Sequence, residues 1–207
     1  MTAIISIINS DWILYLYSNW VRALLRLRGV KVGRNFRARA LPILVKDSSS
    51  KILIQDDVIL KGQVDLRATK GAVLVLKNRV RLDKDVRIIA TNKAKVTFDE
   101  NVDIGCNSIF NCGSDVHVGR DVLIAGFCYV QTSNHNISRC QTIQSQGYEH
   151  KSVHIGDDCW LGGGAFVLPG VNLGTGVVVG ANSLVNKDIP SYQIVAGSPA
   201  FIIGERN

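Results

Sequence analysis

Several things are scarce in this sequence, and each scarcity removes a class of explanation. There is one methionine, there are four prolines, and aromatic residues make up 7% of the 207. The five cysteines (Cys106, Cys112, Cys128, Cys140 and Cys159) are odd in number and contain no Cys-x-x-Cys pair. A disulfide framework and a zinc ribbon are therefore not expected; reduced thiols acting as small apolar fillers in a cytosolic protein fit better. No basic stretch precedes the first apolar run, so no signal peptide is read. No RNA- or DNA-binding motif accompanies the net charge of +7, which removes nucleic acid as a partner. With 46% hydrophobic and 20% charged residues, the chain is globular and not disordered.

What is present is a period. From Ile155 onward every sixth residue is aliphatic: Ile155, Leu161, Val167, Leu173, Val179 and Val185. Small or β-branched residues follow four places later at Cys159, Ala165, Val171, Val177 and Ser183. Six is neither the helical period nor simple strand alternation. It describes very short strands separated by tight turns, three to a coil of 18 residues, stacked into a parallel β-solenoid. Each coil buries what its neighbour would expose.

The same unit recurs upstream: an aliphatic residue, two others, usually Asp or Asn, then apolar, any, apolar. It begins at Val32, Ile54, Leu76, Phe98, Val118, Ile155 and Leu173, with spacings of 22, 22, 22, 20, 37 and 18. Seven coils follow. Four extra residues at one corner account for the first three spacings, and two for the fourth. An insertion of 19 accounts for the fifth. Two inward stacks are predicted. One is Phe36, Val58, Val80, Val102, Val122, Cys159 and Val177; the other is Val64, Val86, Ser108, Cys128, Ala165 and Ser183. Asp, Asn and Gly at the turns supply backbone conformations that β-branched residues do not. The period does not set the hand of the coil.

Charge divides the chain. Residues 1–95 hold 19 Lys+Arg against 7 Asp+Glu, and residues 96–207 hold 5 against 10. Either the first half faces something anionic, such as a membrane surface, a lipid pyrophosphate or an acidic glycan, or lysines guard the sheet edges. Before the repeats, the run from Ala3 to Val21 has Asp11 as its one charge, and Trp12, Tyr15, Tyr17 and Trp20 punctuate it. Arg22, Arg26 and Arg28 follow, then Gly29 as a helix stop, with Ser10 or Asp11 as the starting cap. Its polar residues make it a poor membrane span. Two readings remain: a helix lying in a membrane interface, or one packed across the mouth of the solenoid.

The long insertion, roughly Thr132 to Val153, carries His135 and His150. Long loops in compact repeat proteins are usually functional. His117 and His154 each precede a coil's first aliphatic residue and read as surface positions. His150 and His154 are four apart, but the segment is not helical and lacks a third ligand, so no metal is expected.

Residues 118–203 resemble the hexapeptide-repeat acyltransferases with a left-handed β-helix. Within them, the chain is most similar to the maltose/galactoside O-acetyltransferase branch and to its relatives that acetylate bacterial surface polysaccharides. The words that carry the resemblance are Thr132-Ser-Asn-His135, Ile155-Gly-Asp-Asp-Cys-Trp160-Leu-Gly-Gly-Gly164 and Val167-Leu-Pro-Gly-Val171. Val179-Gly-Ala181-Asn-Ser-Leu-Val185-Asn-Lys187-Asp-Ile-Pro190 and Val195-Ala-Gly-Ser-Pro-Ala200 complete them. The resemblance implies a left-handed parallel β-helix of about seven coils with an N-terminal helix and one long loop. The implied divisions are an apolar, basic helical segment at 1–30, the β-helix at 31–190 with its loop at 132–153, and a tail at 191–207.

The resemblance also implies chemistry. His135 matches the general base that takes a proton from a sugar hydroxyl attacking the thioester of acetyl-CoA. An imidazole titrates near neutrality and suits that task. Backbone amides or a side-chain amide would stabilise the oxyanion. Relatives often carry Asn-x-Asn on the preceding coil; here Gly105 replaces the first, leaving Asn107 as the acceptor contact. Trp160, Gly163, Ala181, Asn186 and Lys187 match positions lining a pantetheine channel between subunits of a homotrimer. A basic residue expected after the last Gly-x-Pro-x is Phe201, with Arg206 as the substitute phosphate contact. The aromatic start and basic first half resemble those of acetyltransferases of capsule, O-antigen or exopolysaccharide assembly, which implies a hydroxyl of such a glycan or its lipid-linked unit as the acceptor. That places the protein in the cytoplasm with peripheral contact to an anionic inner membrane. Acetylation of free sugars, a γ-carbonic-anhydrase-like metal enzyme and a non-catalytic scaffold are the alternatives.

Overall fold

A computed structural model describes residues 11–207. The proposed cap at Ser10, the side chain of Asp11 and the apolar run before them lie outside the described residues.

The chain forms a parallel β-solenoid of seven coils with three sheet faces and one N-terminal helix. Face one stacks the strands Lys31–Val32, Lys51–Ile54, Val73–Leu76, Lys95–Phe98, Val116–Val118, Val153–Ile155 and Asn172–Leu173. Face two begins at Arg37–Ala38 and reaches Val178–Val179, and face three runs from Ile43–Lys46 to Leu184–Val185. Like repeat positions pair in register: Asp103 with Leu123, Leu123 with Trp160, Trp160 with Val178.

Both predicted inward stacks are buried from end to end. Their serines are satisfied internally. Ser108 Oγ donates to the Ala125 carbonyl at 3.0 Å and accepts from Cys128 N at 3.2 Å, while Ser183 Oγ accepts from Gly197 N at 3.1 Å. A buried hydroxyl without such partners would destabilise the core. Cys112 is also buried, although the repeat pattern did not include it.

The corners explain the Asp/Asn positions. Asn35, Asp57, Arg79, Asn101, Asp121, Asp158 and Gly176 follow face one in successive coils, and all have positive φ. Short polar side chains and glycine tolerate that conformation best. The expectation of extra residues at one corner is corrected. In the 22-residue coils, the strands of faces one and three are four residues long, as in Lys51–Ile54 and Asp65–Ala68. Each buries a second inward residue, Ile52 with Ile54 and Leu66 with Ala68. Hydrophobic burial favours lengthening two sides over a bulge that would leave those side chains in water.

Helix α1 (Asp11–Leu27) packs against the first coil through Ser18, Val21 and Leu25. Ser18 Oγ accepts from Ala38 N at 3.0 Å. Gly29, at φ +76, stops the helix: its N–H donates to the Arg26 carbonyl and Val30 N–H to that of Leu25. That pair of bonds is a Schellman ending. At the other end, Gln193–Ala196 joins face two and turns back as the antiparallel strand Phe201–Glu205.

Candidate active site

The insertion leaves the solenoid at the corner between faces three and one. Its base is a two-stranded antiparallel hairpin, Ser133–His135 against Tyr148–His150, with a short 3-10 turn at Ile143–Ser145. Pairing sets Ser133 opposite His150, Asn134 opposite Glu149, and His135 opposite Tyr148. Alternation along the strands then puts Ser133, His135, Tyr148 and His150 on one side.

That side is tied down at one end. Ser133 Oγ lies 2.7 Å from His150 Nδ1, and Asn92 Nδ2 lies 3.4 Å from His150 Nε2. With the Asn92 amide donating to Nε2, Nδ1–H donates to Ser133. The pair rests on Gly113, where an added Cβ would sit 2.5 Å from Ser133 Oγ and 2.7 Å from His150 Nδ1. Beyond this anchor, the His135 ring lies against Tyr148 with centroids 4.3 Å apart. His135 itself is exposed, so its imidazole is open to an incoming ligand. The hairpin therefore presents a solvent-facing base on a stiffened support.

The other sequence-selected residues lie around the last coils. Trp160 is on the outer side of face two, half exposed between Leu123 and Val178. Gly163 follows at the next corner, and Ala181 occupies the corresponding corner one coil later, exposed. Asn186 and Lys187 follow the last strand of face three, also exposed. Face three separates Trp160, Gly163 and Ala181 from the corner that carries the hairpin. Among the described residues, no side-chain hydrogen bond joins His135 to any of them within one protomer.

The three glycines 162–164 differ in what requires them. A Cβ on Gly162 would lie 2.6 Å from Ala181 N, and Gly164 has φ +71. At Gly163 an added Cβ meets only the Gly126 carbonyl at 3.6 Å, an ordinary contact. Neither packing nor backbone demands glycine there, and its absence of side chain leaves a clear strip over the corner.

Asn107 has a backbone role that the sequence reading did not include. Its φ is +59, in the same corner row as Asp85 (φ +60), Phe127 (φ +62) and Asn182 (φ +56). Arg206 is engaged elsewhere: its Nη1 contacts Asp158 Oδ2 at 3.0 Å and the Gly176 carbonyl at 3.2 Å. It does not stand free as a phosphate contact.

A second polar cluster lies on face one. Asp99 Oδ2 is 3.2 Å from His117 Nε2, and His117 Nδ1 is 3.1 Å from His154 Nδ1, the two rings stacked. Lys77 Nζ pairs with the other Asp99 oxygen at 2.7 Å. With His117 donating to Asp99, its Nδ1 accepts from His154. Burial, and then the neighbouring His117, lower the His154 pKa below the ordinary imidazole value. The signal was present in the sequence: both histidines hold the same place in successive repeats, so stacking was fixed by register. His150, by contrast, lies in a strand and takes other partners than His154. Among the described residues, no group of three His, Cys, Asp or Glu side chains is arranged to hold a metal ion.

Comparison with known proteins gives the same outline. The family described as bacterial transferase hexapeptide (six repeats) matches residues 152–187. A putative acetyltransferase of Staphylococcus aureus is 36% identical, the match covering 55% of this chain and 70% of that one. The putative lipopolysaccharide biosynthesis O-acetyl transferase WbbJ of Escherichia coli is 35% identical over 59% of this chain and 66% of its own. The chain spans little more than half to two thirds of the length of the first curated relatives it matches. Among solved structures, an N-acyltransferase from Bacillus cereus, in complex with dTDP and coenzyme A, superposes with a TM-score of 0.65. It is 18% identical and covers 90% of this chain and 89% of its own, a likeness of fold.

Proposed function

The chain belongs to the hexapeptide-repeat bacterial transferases, and from that premise we propose that it transfers acetyl from acetyl-CoA to a sugar hydroxyl of a bacterial surface glycan. The observation that carries this reading is the anchored hairpin with His135 held open at its side. The similarity to a lipopolysaccharide O-acetyl transferase supports the choice of a glycan.

In this reading acetyl-CoA is the second substrate and supplies an activated acetyl thioester. Trp160, Gly163 and Ala181 form the wall along which its arm lies, and Asn186 and Lys187 meet its polar end. The open strip at Gly163 supports that placement. His135 takes the proton from the acceptor hydroxyl as the oxygen attacks, and returns it to the departing thiolate. The Asn107 amide contacts the acceptor. Tyr148 restricts the imidazole to one side of the hairpin, lowering the cost of orienting it.

The wall and the base sit on different corners of one protomer, so a homotrimer with sites between subunits completes the arrangement. The exposed apolar surface of the last coils supports such assembly: Leu123, Trp160, Phe166 and Phe201 are 38–60% exposed. Use of acetyl-CoA places the reaction in the cytoplasm. Among the described residues, no helix is long and apolar enough to cross a membrane.

Incubation with labelled acetyl-CoA and a panel of capsule, O-antigen and exopolysaccharide fragments, lipid-linked and free, tests this directly. Label on a glycan hydroxyl is the expected result. Label found only on simple glycosides would replace the acceptor with a free sugar, and no transfer to any hydroxyl compound would end the proposal.

A further inference from the structure

Helix α1 has two apolar faces, and the solenoid uses one. Ser18, Val21 and Leu25 face the first coil. On the opposite side Trp12, Leu16 and Trp20 recur every four residues, joined by Tyr15 and Leu27, and their exposures run from 51% to 84%. Such a stripe at helical spacing is a continuous surface, not a scatter of single residues.

Its surroundings are basic. Residues 11–50 contain eight Lys+Arg against two Asp+Glu. Arg26, Arg28, Lys31, Arg37 and Arg39 are exposed. Arg34 is paired with Asp56. Beside the helix, Leu14, Arg37, Arg39, Ile59, Leu60 and Lys61 line an open groove of about 370 Å³. An apolar stripe carrying two tryptophans and a tyrosine, rimmed by arginines, matches the layered chemistry of a membrane interface. Aromatic rings settle at headgroup depth, and guanidinium groups meet lipid phosphates. Among the described residues no carboxylate is ion-paired with Arg26, Arg28, Lys31, Arg37 or Arg39, so this end of the molecule carries uncompensated positive charge that an anionic bilayer complements.

We infer that the outer stripe of α1 docks the protein on an anionic lipid bilayer, with Trp12, Leu16 and Trp20 entering the interface and Arg37 and Arg39 holding phosphate headgroups at its rim. The first coil then stands nearest the lipid and the hairpin with His135 further along the solenoid. This stands independently of the acetyl-transfer reading, because it concerns a surface remote in sequence from that site.

The test uses the full chain and sedimentation with phosphatidylcholine vesicles, plain or containing about 30% phosphatidylglycerol. Expected is partition onto the anionic vesicles, weakened in about 0.5 M salt because surface charges are screened. W12S/W20S should weaken partition at least ~10-fold, since two interfacial anchors are lost. R37A/R39A, which leaves the helix intact, should weaken it about 25-fold, at roughly fivefold per basic residue. Circular dichroism checks that both variants are folded. Failure of the native chain to bind anionic vesicles would overturn the inference, as would W12S/W20S binding as well as the native protein. A change in oligomer mass in W12S/W20S without a change in vesicle partition would assign the stripe to a second copy and also overturn it.

Discussion

Gly113 offers the sharpest test of how the hairpin is held. It carries no left-handed φ, so alanine fits its backbone. The added methyl, however, would lie 2.5 Å from Ser133 Oγ, 2.7 Å from His150 Nδ1 and 2.8 Å from His150 Cε1. Ordinary contact begins near 3.4 Å, so Ser133 must retreat by about 0.9 Å. Ser133 is two residues from His135 on the same strand. A displacement of roughly 1 Å at a catalytic group costs on the order of 100-fold in rate. Loss of the Ser133–His150 bond costs only about 1 kcal/mol, and overpacking about 1 kcal/mol more. That corresponds to a fall in melting midpoint of roughly 4–8 °C for a chain of this size. The G113A enzyme should therefore be folded and slow. Turnover is read as thiol released from acetyl-CoA in the presence of acceptor, and stability by thermal melting. H150A, which removes the anchor without pushing the strand, should lose less, about tenfold. Wild-type turnover in G113A, or a loss matched by unfolded protein, would refute the claim that this contact positions His135.

His154, the buried cysteines and Phe127 each carry a further testable outcome. His154 binds its proton more weakly in the folded chain than an unfolded imidazole does. Its contribution to stability is thus full above about pH 6.5 and is lost as pH falls from there through the folded value. The melting midpoint of the native protein should drop between pH 7.5 and 5.5 more steeply than that of H154N; parallel slopes would contradict the assignment. Burial pushes the Cys159 thiol up to about 11 and raises those of Cys112 and Cys128. Ellman's reagent should modify the exposed Cys140 first and reach those three only on unfolding; rapid modification of Cys159 in the folded protein would count against the packing described. Phe127 is 66% exposed at φ +62. F127G should remove about 1 kcal/mol of backbone strain and raise the melting midpoint by ~2–4 °C; a lower midpoint would mean that the ring packs more strongly than its exposure indicates.

The coil count, the corner residues and both inward stacks were legible because a parallel solenoid writes its geometry directly into period. Each coil repeats the same three short sides, so Val58, Val80 and Val102 announce one another. Strand length was less legible. The corner residues mark where a side ends but not which side has grown, and only the burial of Ile52 and Leu66 as second inward residues resolves it. His135 was selected through the words around it. The anchor was not: Asn92, Gly113 and His150 are separated by up to 58 residues and meet only because the coils stack. The outer face of α1 was visible as an aromatic run, while its inner face depended on Ser18 finding Ala38 across the first coil.

Replacing His135 with Asn keeps the hairpin's size and polarity while removing the proton acceptor. The most direct measurement is acetyl-CoA-dependent turnover of H135N on a glycan acceptor, beside its melting curve and its affinity for acetyl-CoA. The account predicts turnover lower by about 10²- to 10⁴-fold with folding and donor binding unchanged. Turnover within a factor of about two of the native enzyme would contradict it, since no general base contributes so little.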